Sequence, residues 1–385
     1  MFLNRLFETN RPLIEYAHYC HRKGTLLPDT YLLDADVIKE NALLIKNEAD
    51  KHGITLYFML KQIGRIPFIG KMLIEIGYSG AVCVDFREAA RMIENGVPLG
   101  HVGHLVQIPK AYLETIIEAK PEIITVYSVE KAGEIGRICS HKGQIQDIML
   151  RVIGDKVDLY PGQYGGFTLA SLDEIMPELE QLEGIRIAGV CSFPCIKYDE
   201  QLKGFVKTPN LDVVNDAARL LASRGHGPLQ LNMPSCTCAG SMALIALEGG
   251  THAEPGHGLT GTTPYHALSG NGPERTAILY LSEISHNLDG KAYCYGGGWY
   301  RRGGLENAVV GDIGNSATVR VNRPATESID YYLELDTPAG VGLPVIMCFR
   351  TQIFVTRSRI AVVSGLASGK PEIEGVYSSQ GERMS

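Results

Sequence analysis

Short apolar runs alternate with amphipathic segments along the chain from about residue 36 to about residue 265. The runs have the length and the β-branched content of buried strands in a parallel sheet. The predicted strands are 54–59, 81–85, 101–106, 123–127, 147–153, 185–192, 229–232 and 251–254. The segments between them carry apolar residues at helical spacing. The predicted helices are 69–76, 87–94, 109–120, 129–141, 172–182, 211–224 and 241–248.

This alternation of strands and helices favours an α/β fold, a (β/α)8 TIM-type barrel. Periodicity does not distinguish that barrel from an open, doubly wound sheet. After residue 265 the pattern changes to strands separated by Gly, Pro and Asn turns, without a long helix. The strands predicted there are 278–285, 291–295, 317–322, 330–335, 344–355 and 359–364.

Two domains follow from this change of pattern. Residues 36–265 are predicted to form the barrel, and residues 266–385 together with 1–35 a β-rich domain. The length of 385 residues supports the division, since one barrel uses about 250 residues. The last fifteen or so residues are rich in Gly, Ser and Glu, and we expect them to be loose.

Charge and hydropathy exclude several classes of partner. The net charge is −7, without the clustered basic excess that is typical of proteins whose main partner is nucleic acid. No apolar run reaches the roughly 20 residues that a membrane span needs. The first eight residues are interrupted by charges and lack the features of a signal peptide. We therefore expect a cytoplasmic protein without a membrane or nucleic-acid partner.

The cysteines leave two interpretations open. Nine cysteines are an odd number spread through a large chain, which argues against a secreted disulfide framework. The Cys191/Cys195 and Cys236/Cys238 pairs could form a zinc site, although neither has the usual Cys-x-x-Cys spacing. Buried free thiols are the alternative, and we favour a protein without a metal.

Lys61 comes shortly after the first predicted barrel strand. The carboxyl ends of the strands hold the active site in TIM barrels. A lysine withdrawn from water at that position is a usable nucleophile or Schiff-base former. A strand-end lysine in solvent is the alternative interpretation.

A glycine-rich segment follows the last predicted barrel strand. Gly256 to Gly261 matches the G-x-G-x-x-G pattern of dinucleotide-binding proteins. That pattern should open a helix in an early βαβ unit, whereas here it runs into 262–264, which does not resemble a helix start. Glycine backbone and threonine hydroxyls nevertheless suit a phosphate. Glu254, just before the glycines, would lie at the mouth of the eighth strand, close to the first strand if the barrel closes.

The loop 232–241 connects the seventh predicted strand to its helix and contains Ser235 and Thr237. The loops after strands seven and eight form the usual phosphate site of TIM barrels. Each hydroxyl could donate a hydrogen bond to a phosphate, or could cap the following helix. The sequence leaves both roles open.

Residues 291–302 combine aromatic side chains, the only tryptophan and the triple glycine Gly296–Gly298. The glycines indicate a tight and unusual backbone. The segment is either a turn of the β-rich domain, or it presents Tyr295 or Cys294 to an active site across an interface.

Together these motifs resemble the alanine racemase-like, pyridoxal phosphate-dependent proteins of fold type III, and among them the YhfX group. Residues 30–41 resemble the strand-then-helix entry of that family, and Lys61 falls where its cofactor lysine is expected. The resemblance spans nearly the whole chain, and the order of the motifs carries it. It implies pyridoxal 5'-phosphate as cofactor, a homodimer, and a small-molecule amine or amino acid as substrate.

The resemblance also implies a role for each motif. Lys61 would hold the cofactor covalently until an incoming amine displaces it. Glu254-Pro255-Gly256 resembles the Glu-Pro-Gly of the decarboxylases, whose glutamate pairs with the pyridine nitrogen and makes the ring a stronger electron sink. His257 stands where those enzymes have arginine. The residues expected to contact the cofactor are Lys61, Ser235, Thr237, Glu254, Gly256, His257 and Gly258.

Tyr295-Gly296 resembles the Tyr-Gly of the racemases, whose tyrosine comes from the second subunit. Racemisation exchanges protons on both faces of a planar carbanion, so it needs two acid/base groups, and Lys61 and Tyr295 would supply them. The decarboxylases have a histidine where Pro194 follows Ser192-Phe193 here, and 348–350 lacks the His-x-Cys or His-x-Asp pair of the metal-assisted aldolases and dehydratases.

These departures favour a racemase or epimerase. The alternatives are a pyridoxal phosphate-dependent lyase or decarboxylase, and a non-catalytic pyridoxal phosphate-binding regulatory protein.

Overall fold

The structure is a computed structural model that describes residues 2–270 and 272–385, with the side chain of Val157 excepted. The α-helices are α1 Phe2–Thr9, α2 Arg11–Lys23, α3 Ala35–Lys51, α4 Pro67–Ile76, α5 Phe86–Glu94, α6 Lys110–Glu118, α7 Val129–His141, α8 Leu169–Leu179, α9 Pro209–Ser223, α10 Met242–Leu247 and α11 Pro264–Leu268. The strands are β1 Thr30–Asp34, β2 Thr55–Phe58, β3 Gly80–Cys83, β4 Leu99–Val102, β5 Ile123–Val126, β6 Gln146–Arg151, β7 Ile185–Cys191, β8 Ile196–Asp199, β9 Gly204–Lys207, β10 Gln230–Asn232, β11 His252–Ala253, β12 Ile278–Leu288, β13 Lys291–Tyr295, β14 Asn307–Asp312, β15 Asn315–Asn322, β16 Tyr332–Leu335, β17 Pro344–Met347, β18 Arg359–Ser364 and β19 Glu372–Tyr377.

The described residues divide into two compact units. The barrel unit comprises Ile45–Leu60 and Pro67–Gly256, and the β-rich unit comprises the remaining described residues. The segments 61–66 and 257–265 therefore group with the β-rich unit in their contacts, as does most of α3. The domain boundaries that the sequence analysis placed at residues 36 and 265 concern functional domains and not compact units, and they stay a prediction.

A closed parallel barrel forms the centre of the first unit. Its strands follow the order β2-β3-β4-β5-β6-β7-β10-β11, and β11 returns to pair with β2 through His252 and Thr55. This closure confirms the predicted TIM-type barrel over the open sheet. All of the predicted barrel strands and helices are present. The apolar strand residues are buried because the helices cover the outside of the sheet.

One antiparallel hairpin, β8–β9, lies between β7 and α9 and was not predicted. Its strands are four residues long and partly exposed, so no apolar alternation distinguishes them from a loop.

The β-rich unit is a sheet of strand order β13-β16-β15-β14-β17-β12-β1-β18-β19. The N-terminal strand β1 lies inside this sheet, antiparallel to β12 and parallel to β18. All five of its residues are buried. This explains why residues near the N-terminus belong with the C-terminal strands.

The helices α1 and α2 were not predicted, and they cover one face of the β-rich sheet. Their buried residues Leu6 and Leu13 belong to the same apolar cluster as Leu32 and Leu279 of the sheet. Asn10 caps α2 by accepting a hydrogen bond from Leu13 N, and Gly24 ends the helix in the left-handed conformation. These are ordinary helix-boundary signals, so the sequence did contain evidence for α2.

Two further expectations were wrong. The C-terminal residues are not loose, since β19 pairs with β18 and residues 383–385 return to bond with β19. Residues 262–264 do open a helix, because Thr263 is the N-cap of α11 and Pro264 occupies its first turn, a position that suits proline. The strand β14 was also missed.

Within the described residues, no helix is long and apolar enough to cross a membrane.

Candidate active site

Polar side chains meet inside the barrel near the carboxyl ends of its strands. Arg151 at the end of β6 pairs in register with Cys191 at the end of β7, which pairs with Asn232 at the end of β10. Glu254 follows β11 directly. The carboxyl ends of barrel strands are where TIM barrels place their functional groups.

Glu254 is held by two neighbours at one of its two carboxylate oxygens. His101 Nδ1 lies 2.6 Å from Glu254 Oε1, and neither side chain is exposed. Asn232 Nδ2 donates a short hydrogen bond to the same oxygen. The other oxygen, Oε2, is buried and has no hydrogen-bond partner among the described residues.

The surroundings favour the ionised form of Glu254. Burial by itself would raise the pKa of this carboxyl group, but the neighbouring His101 and His104 and the hydrogen bonds from His101 and Asn232 lower that pKa to about 2. An ionised carboxylate with one unused oxygen inside an apolar barrel is an acceptor for a charged N–H donor. A protonated pyridine nitrogen is such a donor, so this residue fits the cofactor that the sequence implied.

A second row of side chains continues from His101 toward β7. His101 Nε2 makes a short hydrogen bond with Thr125 Oγ1 on β5, and Thr125 Oγ1 lies 3.8 Å from Cys191 Sγ. Cys191 Sγ in turn lies 3.7 Å from His104 Nδ1. Burial raises the pKa of the Cys191 thiol to about 12, so this cysteine is a thiol and not a thiolate.

His101, His104 and Cys191 bring three possible metal-ligand atoms within 4.8 Å of one another. Both ring nitrogens of His101 already have partners, in Glu254 and Thr125. A zinc ligand must offer the metal a free imidazole lone pair. The arrangement therefore fits a hydrogen-bonded cluster better than a metal site. This group of three residues also differs from the Cys191/Cys195 and Cys236/Cys238 pairs that the sequence suggested as a zinc site.

Arg151 is fully buried beside this cluster. Its guanidinium donates to the backbone oxygens of His104 at 2.9 Å and Gln163 at 2.8 Å, and it lies 5.0 Å from the centre of the Tyr127 ring. These contacts hold the segment after β4 and the loop after β6 in place around the barrel mouth.

The loop after β10 places its two hydroxyl residues differently. Ser235 Oγ donates to the carbonyl oxygen of Ile196 at 2.8 Å, so its single hydrogen is engaged with the backbone. Thr237 Oγ1 is buried, and no described group bonds to it. The cap of the following turn is formed by Cys238 and Ser241. Thr237 therefore retains a hydroxyl for a ligand. Neither Ser235 nor Thr237 caps the following helix, which was one of the two roles that the sequence left open.

Lys61 begins a short 3₁₀ turn, Lys61–Ile63, in the β-rich unit and is 9% exposed. Thr351 donates its hydroxyl to the carbonyl oxygen of Gln62 at 2.7 Å. Arg65 bonds to Gln380 Oε1 at 2.7 Å, and its guanidinium lies 4.6 Å from the centre of the Phe354 ring. The turn that carries the lysine is thus held by the segment 351–354 and by the C-terminal residues.

His257 is 8% exposed in the same unit. Its Nε2 lies 3.5 Å from Gln352 Nε2, and its Nδ1 lies 3.5 Å from Thr262 Oγ1. Burial, and then the positive charges of Arg350 and Lys61, lower the pKa of His257 well below its usual value. His257 is therefore a neutral hydrogen-bonding group, unlike the arginine it replaces. Gly258 follows it and accepts from Gly261 N at 3.1 Å in a tight turn.

Tyr295 lies at the end of β13 and is 37% exposed, opposite Tyr332 on β16. Cys294 beside it is buried, and burial raises the pKa of its thiol to about 12, so Cys294 does not present a reactive thiolate. The triple glycine has a packing role, because a Cβ at Gly297 would collide with the Asp29 carboxylate and one at Gly298 would collide with the Tyr280 ring.

Sequence reasoning identified Glu254 but missed its partners His101 and Asn232, and Thr125, which bonds to His101. For His101 and Thr125 the signal was present, since each is a polar residue within an otherwise apolar strand of the barrel. A polar side chain inside a closed barrel is buried and must find a partner. Which polar residues face inward at the same level depends on the register of strands that are distant in the sequence.

Comparison with known proteins agrees with this architecture. Residues 33–264 match the family model "Alanine racemase, N-terminal domain", and residues 279–373 match "YhfX-like, C-terminal domain". The chain is 44% identical over 386 residues to the uncharacterized protein YhfX of Escherichia coli (strain K12), covering 100% of both chains.

Two solved structures share the fold. A D-threonine aldolase from Filomicrobium marinum superposes with a TM-score of 0.69 at 15% identity, covering 91% of this chain and 94% of that one. An alanine racemase from Clostridium difficile 630 gives a TM-score of 0.62 at 16% identity, covering 91% and 98%. At these identities the likeness shows the fold alone. The family match over most of the barrel and the full-length relative together show that this chain belongs to the alanine racemase-like family of fold type III, in its YhfX-like group.

Proposed function

We propose that this protein is a pyridoxal phosphate-dependent enzyme that acts at the Cα of an amino acid or a related amine, and that its reaction is racemisation or epimerisation. The observation that carries the proposal is Glu254, a buried and ionised carboxylate whose Oε2 has no described partner. In a family of this kind, that oxygen is suited to the protonated ring nitrogen of the cofactor. We further propose that the protein is a cytoplasmic homodimer.

The residues of this chain divide the work of holding the cofactor. Lys61 would supply the amine for covalent attachment, and Glu254 would accept a hydrogen bond from the ring nitrogen. The hydroxyls of Ser235 and Thr237, the neutral His257 and the backbone of Gly256 and Gly258 would hold the phosphate. When bound, the cofactor supplies an electron sink that stabilises negative charge at Cα. Glu254 would strengthen that sink, because its negative charge would keep the ring nitrogen protonated.

Racemisation also needs an acid/base group on each face of the substrate. Lys61 would serve one face and Tyr295 of the partner subunit the other. The partial exposure of Tyr295 on β13 supports presentation to a second subunit, because a fully buried tyrosine could not reach a partner.

Two alternatives remain in view. The first is a pyridoxal phosphate-dependent lyase or decarboxylase, although 348–350 reads Cys-Phe-Arg and lacks the metal-binding pair that the resemblance attaches to the metal-assisted aldolases. The second alternative is a protein that binds the cofactor and has no turnover.

The first test is covalent labelling. Purified protein is expected to absorb in the visible, and treatment with borohydride followed by peptide mass analysis should place the cofactor on Lys61. The Lys61→Ala variant should lose the visible band, whereas Lys207→Ala, which removes a lysine paired with Asp212 on the surface, should keep it. A label on another lysine would overturn the assignment.

The second test separates the reactions. The protein is incubated with a panel of single-enantiomer amino acids and amines in deuterated water. Deuterium at Cα together with the opposite enantiomer indicates a racemase, whereas an aldehyde product or released carbon dioxide indicates a lyase or a decarboxylase. Absence of exchange across the panel, with the cofactor bound, would favour the non-catalytic carrier.

A further inference from the structure

Buried polar atoms without a hydrogen-bond partner gather at the carboxyl ends of β6, β7, β10 and β11, which are consecutive strands of the barrel. Within the described residues, no hydrogen bond reaches Arg151 Nε, Ser192 Oγ, Asn232 Oδ1 or Glu254 Oε2. Each of these four residues is at most 5% exposed. Folded proteins leave few buried polar atoms unpaired, so their concentration at one end of the barrel indicates a ligand that supplies the missing partners.

Arg151 brings a permanent positive charge to this buried end of the barrel. Arginine stays protonated in proteins, and this side chain is 0% exposed. Its described acceptors are the backbone oxygens of His104 and Gln163 and the hydroxyl of Tyr127, which lies 2.5 Å from Nη1. All three acceptors are neutral, and no described carboxylate is among them. A buried charge without an opposite charge beside it is costly, which indicates that an anionic ligand completes the site.

The guanidinium of Arg151 has donors left for such a ligand. Its described hydrogen bonds engage three of the five N–H groups, two on Nη1 and one on Nη2. The N–H of Nε and the second N–H of Nη2 have no acceptor among the described residues. Nε and Nη2 form one edge of the planar guanidinium, and such an edge binds the two oxygens of a carboxylate in parallel. The unused donors therefore suit a planar carboxylate.

Glu254 provides the opposite charge at the same end of the barrel. Arg151 pairs in register with Cys191, and Cys191 pairs with Asn232, whose amide donates to Glu254. The strands β7 and β10 lie between the two charges, and Arg151 does not donate to Glu254. A ligand that satisfies both needs a cationic N–H group toward Glu254 Oε2 and anionic oxygens toward Arg151.

We infer that Arg151 recognises the carboxylate of the substrate through its Nε and Nη2 edge, so that the substrates are amino acids and not amines that lack a carboxylate. This assignment rests on the proposed function, which places an amino acid or a related amine in the site. Three hydrogen bonds hold the guanidinium before a ligand arrives. Binding therefore needs little further ordering of this long side chain.

The first test needs no cofactor and uses acetate as the probe. Cofactor-free protein is melted in acetate and in sodium chloride of the same ionic strength. Acetate should raise the thermal midpoint of the original protein by about 1 °C or more, because it binds the folded state alone. Arg151→Lys should lose this shift, since an ammonium group cannot offer two parallel N–H groups.

Arg186→Lys is the matched control for this measurement. Arg186 lies on β7 next to β6, but it is exposed and both of its bonding nitrogens are engaged with the Asp147 carboxylate. This variant should keep the acetate shift. An acetate shift in Arg151→Lys equal to that of the original protein, or no shift in the original protein, would overturn the inference.

The second test compares probes that differ by the carboxylate alone, alanine with ethylamine and lysine with cadaverine. Binding to the cofactor-loaded protein is followed by the change in its visible absorption. Arg151→Lys should bind the amino acids at least about tenfold more weakly, whereas its affinity for the amines should change by less than about twofold. A purely structural role of Arg151 would weaken both kinds of probe equally and leave their ratio unchanged, which would contradict the inference.

The outcomes separate this inference from the proposed function. If acetate stabilises the protein as expected but borohydride fixes no cofactor, the proposed function fails and the carboxylate site stands. If the cofactor is fixed on Lys61 but the amines bind as tightly as the amino acids, the proposed function stands and the inference fails. Weaker binding of pyridoxal 5'-phosphate in Arg151→Lys, with an unchanged ratio of amino acid to amine, would assign Arg151 to the cofactor and overturn the inference.

Discussion

His101 Nδ1 lies 2.6 Å from Glu254 Oε1 inside the barrel, although the two residues are separated by 153 positions in the sequence. Neither residue would be a favourable choice for an apolar interior alone, because a buried charge without partners is costly. Together with Asn232 they form a satisfied cluster that leaves one carboxylate oxygen for a ligand. We expect ligand binding in the barrel interior to depend on this relationship.

We expect Glu254→Gln to keep the fold and to lose most of its activity. The amide has the size of the carboxylate but cannot keep a bound ring nitrogen protonated by its charge. The rate of deuterium exchange at Cα should fall on the order of a hundredfold or more, as for the loss of a preorganised electrostatic group. The matched control Glu248→Gln, at the end of α10, should exchange at the original rate. An unchanged rate in Glu254→Gln would contradict the role of this residue.

Gly297→Ala should destabilise the protein by about 3 kcal/mol or more. The backbone there has φ +129, which an alanine rarely adopts, and the added Cβ would collide with the Asp29 carboxylate. Gly304→Ala is the matched control, because its φ of +69 also favours glycine but no described heavy atom lies within 4 Å of the added Cβ. That variant should lose only about 1 kcal/mol. Urea unfolding measures both, and equal losses would contradict the packing role of Gly297.

Asp29 should make stability depend on pH. Burial raises the pKa of its carboxyl group to about 6, against hydrogen bonds from Ser358 and Tyr280. Because the folded pKa is above the unfolded one, the protonated form favours folding, and this contribution is lost as pH rises from about 4 through 6.

Asp29→Asn, which cannot ionise, should therefore gain stability relative to the original protein over that pH range, by roughly 3 kcal/mol at the upper end. Urea unfolding at a series of pH values measures the difference between the two proteins. A difference that does not change with pH would exclude the titration of Asp29 as its source.

Removal of residues 372–385 should destabilise the β-rich unit. The deletion takes away β19 and leaves the buried strand β18 as an unpaired edge. It also removes Gln380, the partner of Arg65 in the turn that follows Lys61. We expect lower solubility and a lower thermal midpoint. Deletion of 384–385 alone is the milder control, and a full deletion that melts like the original protein would restore the view that this segment is loose.

The prediction of the barrel succeeded because its signal is local. Each strand is a short apolar run, and each helix repeats its apolar positions over several turns, so a single pass along the chain detects both. The N-terminal helices and β19 were missed for a different reason. The six residues of β19 include two glutamates and a glycine and so resemble a loop, although its partner β18 directly precedes it in the sequence. The N-terminal helices pack on strands that are mostly distant in the sequence, although Asn10 and Gly24 mark the ends of α2.

The sequence by itself determined the order of strands and helices, the change of architecture near residue 265, and the chemistry available at Lys61 and Glu254. The tertiary structure decided which residues serve Glu254. Closure of the barrel sets the register of β4, β5, β7 and β10, and only that register brings His101, Thr125, Cys191 and Asn232 to one level. Hydrogen bonds act over about 3 Å. A cluster of residues from four separate strands is therefore a property of the folded barrel and not of any one segment.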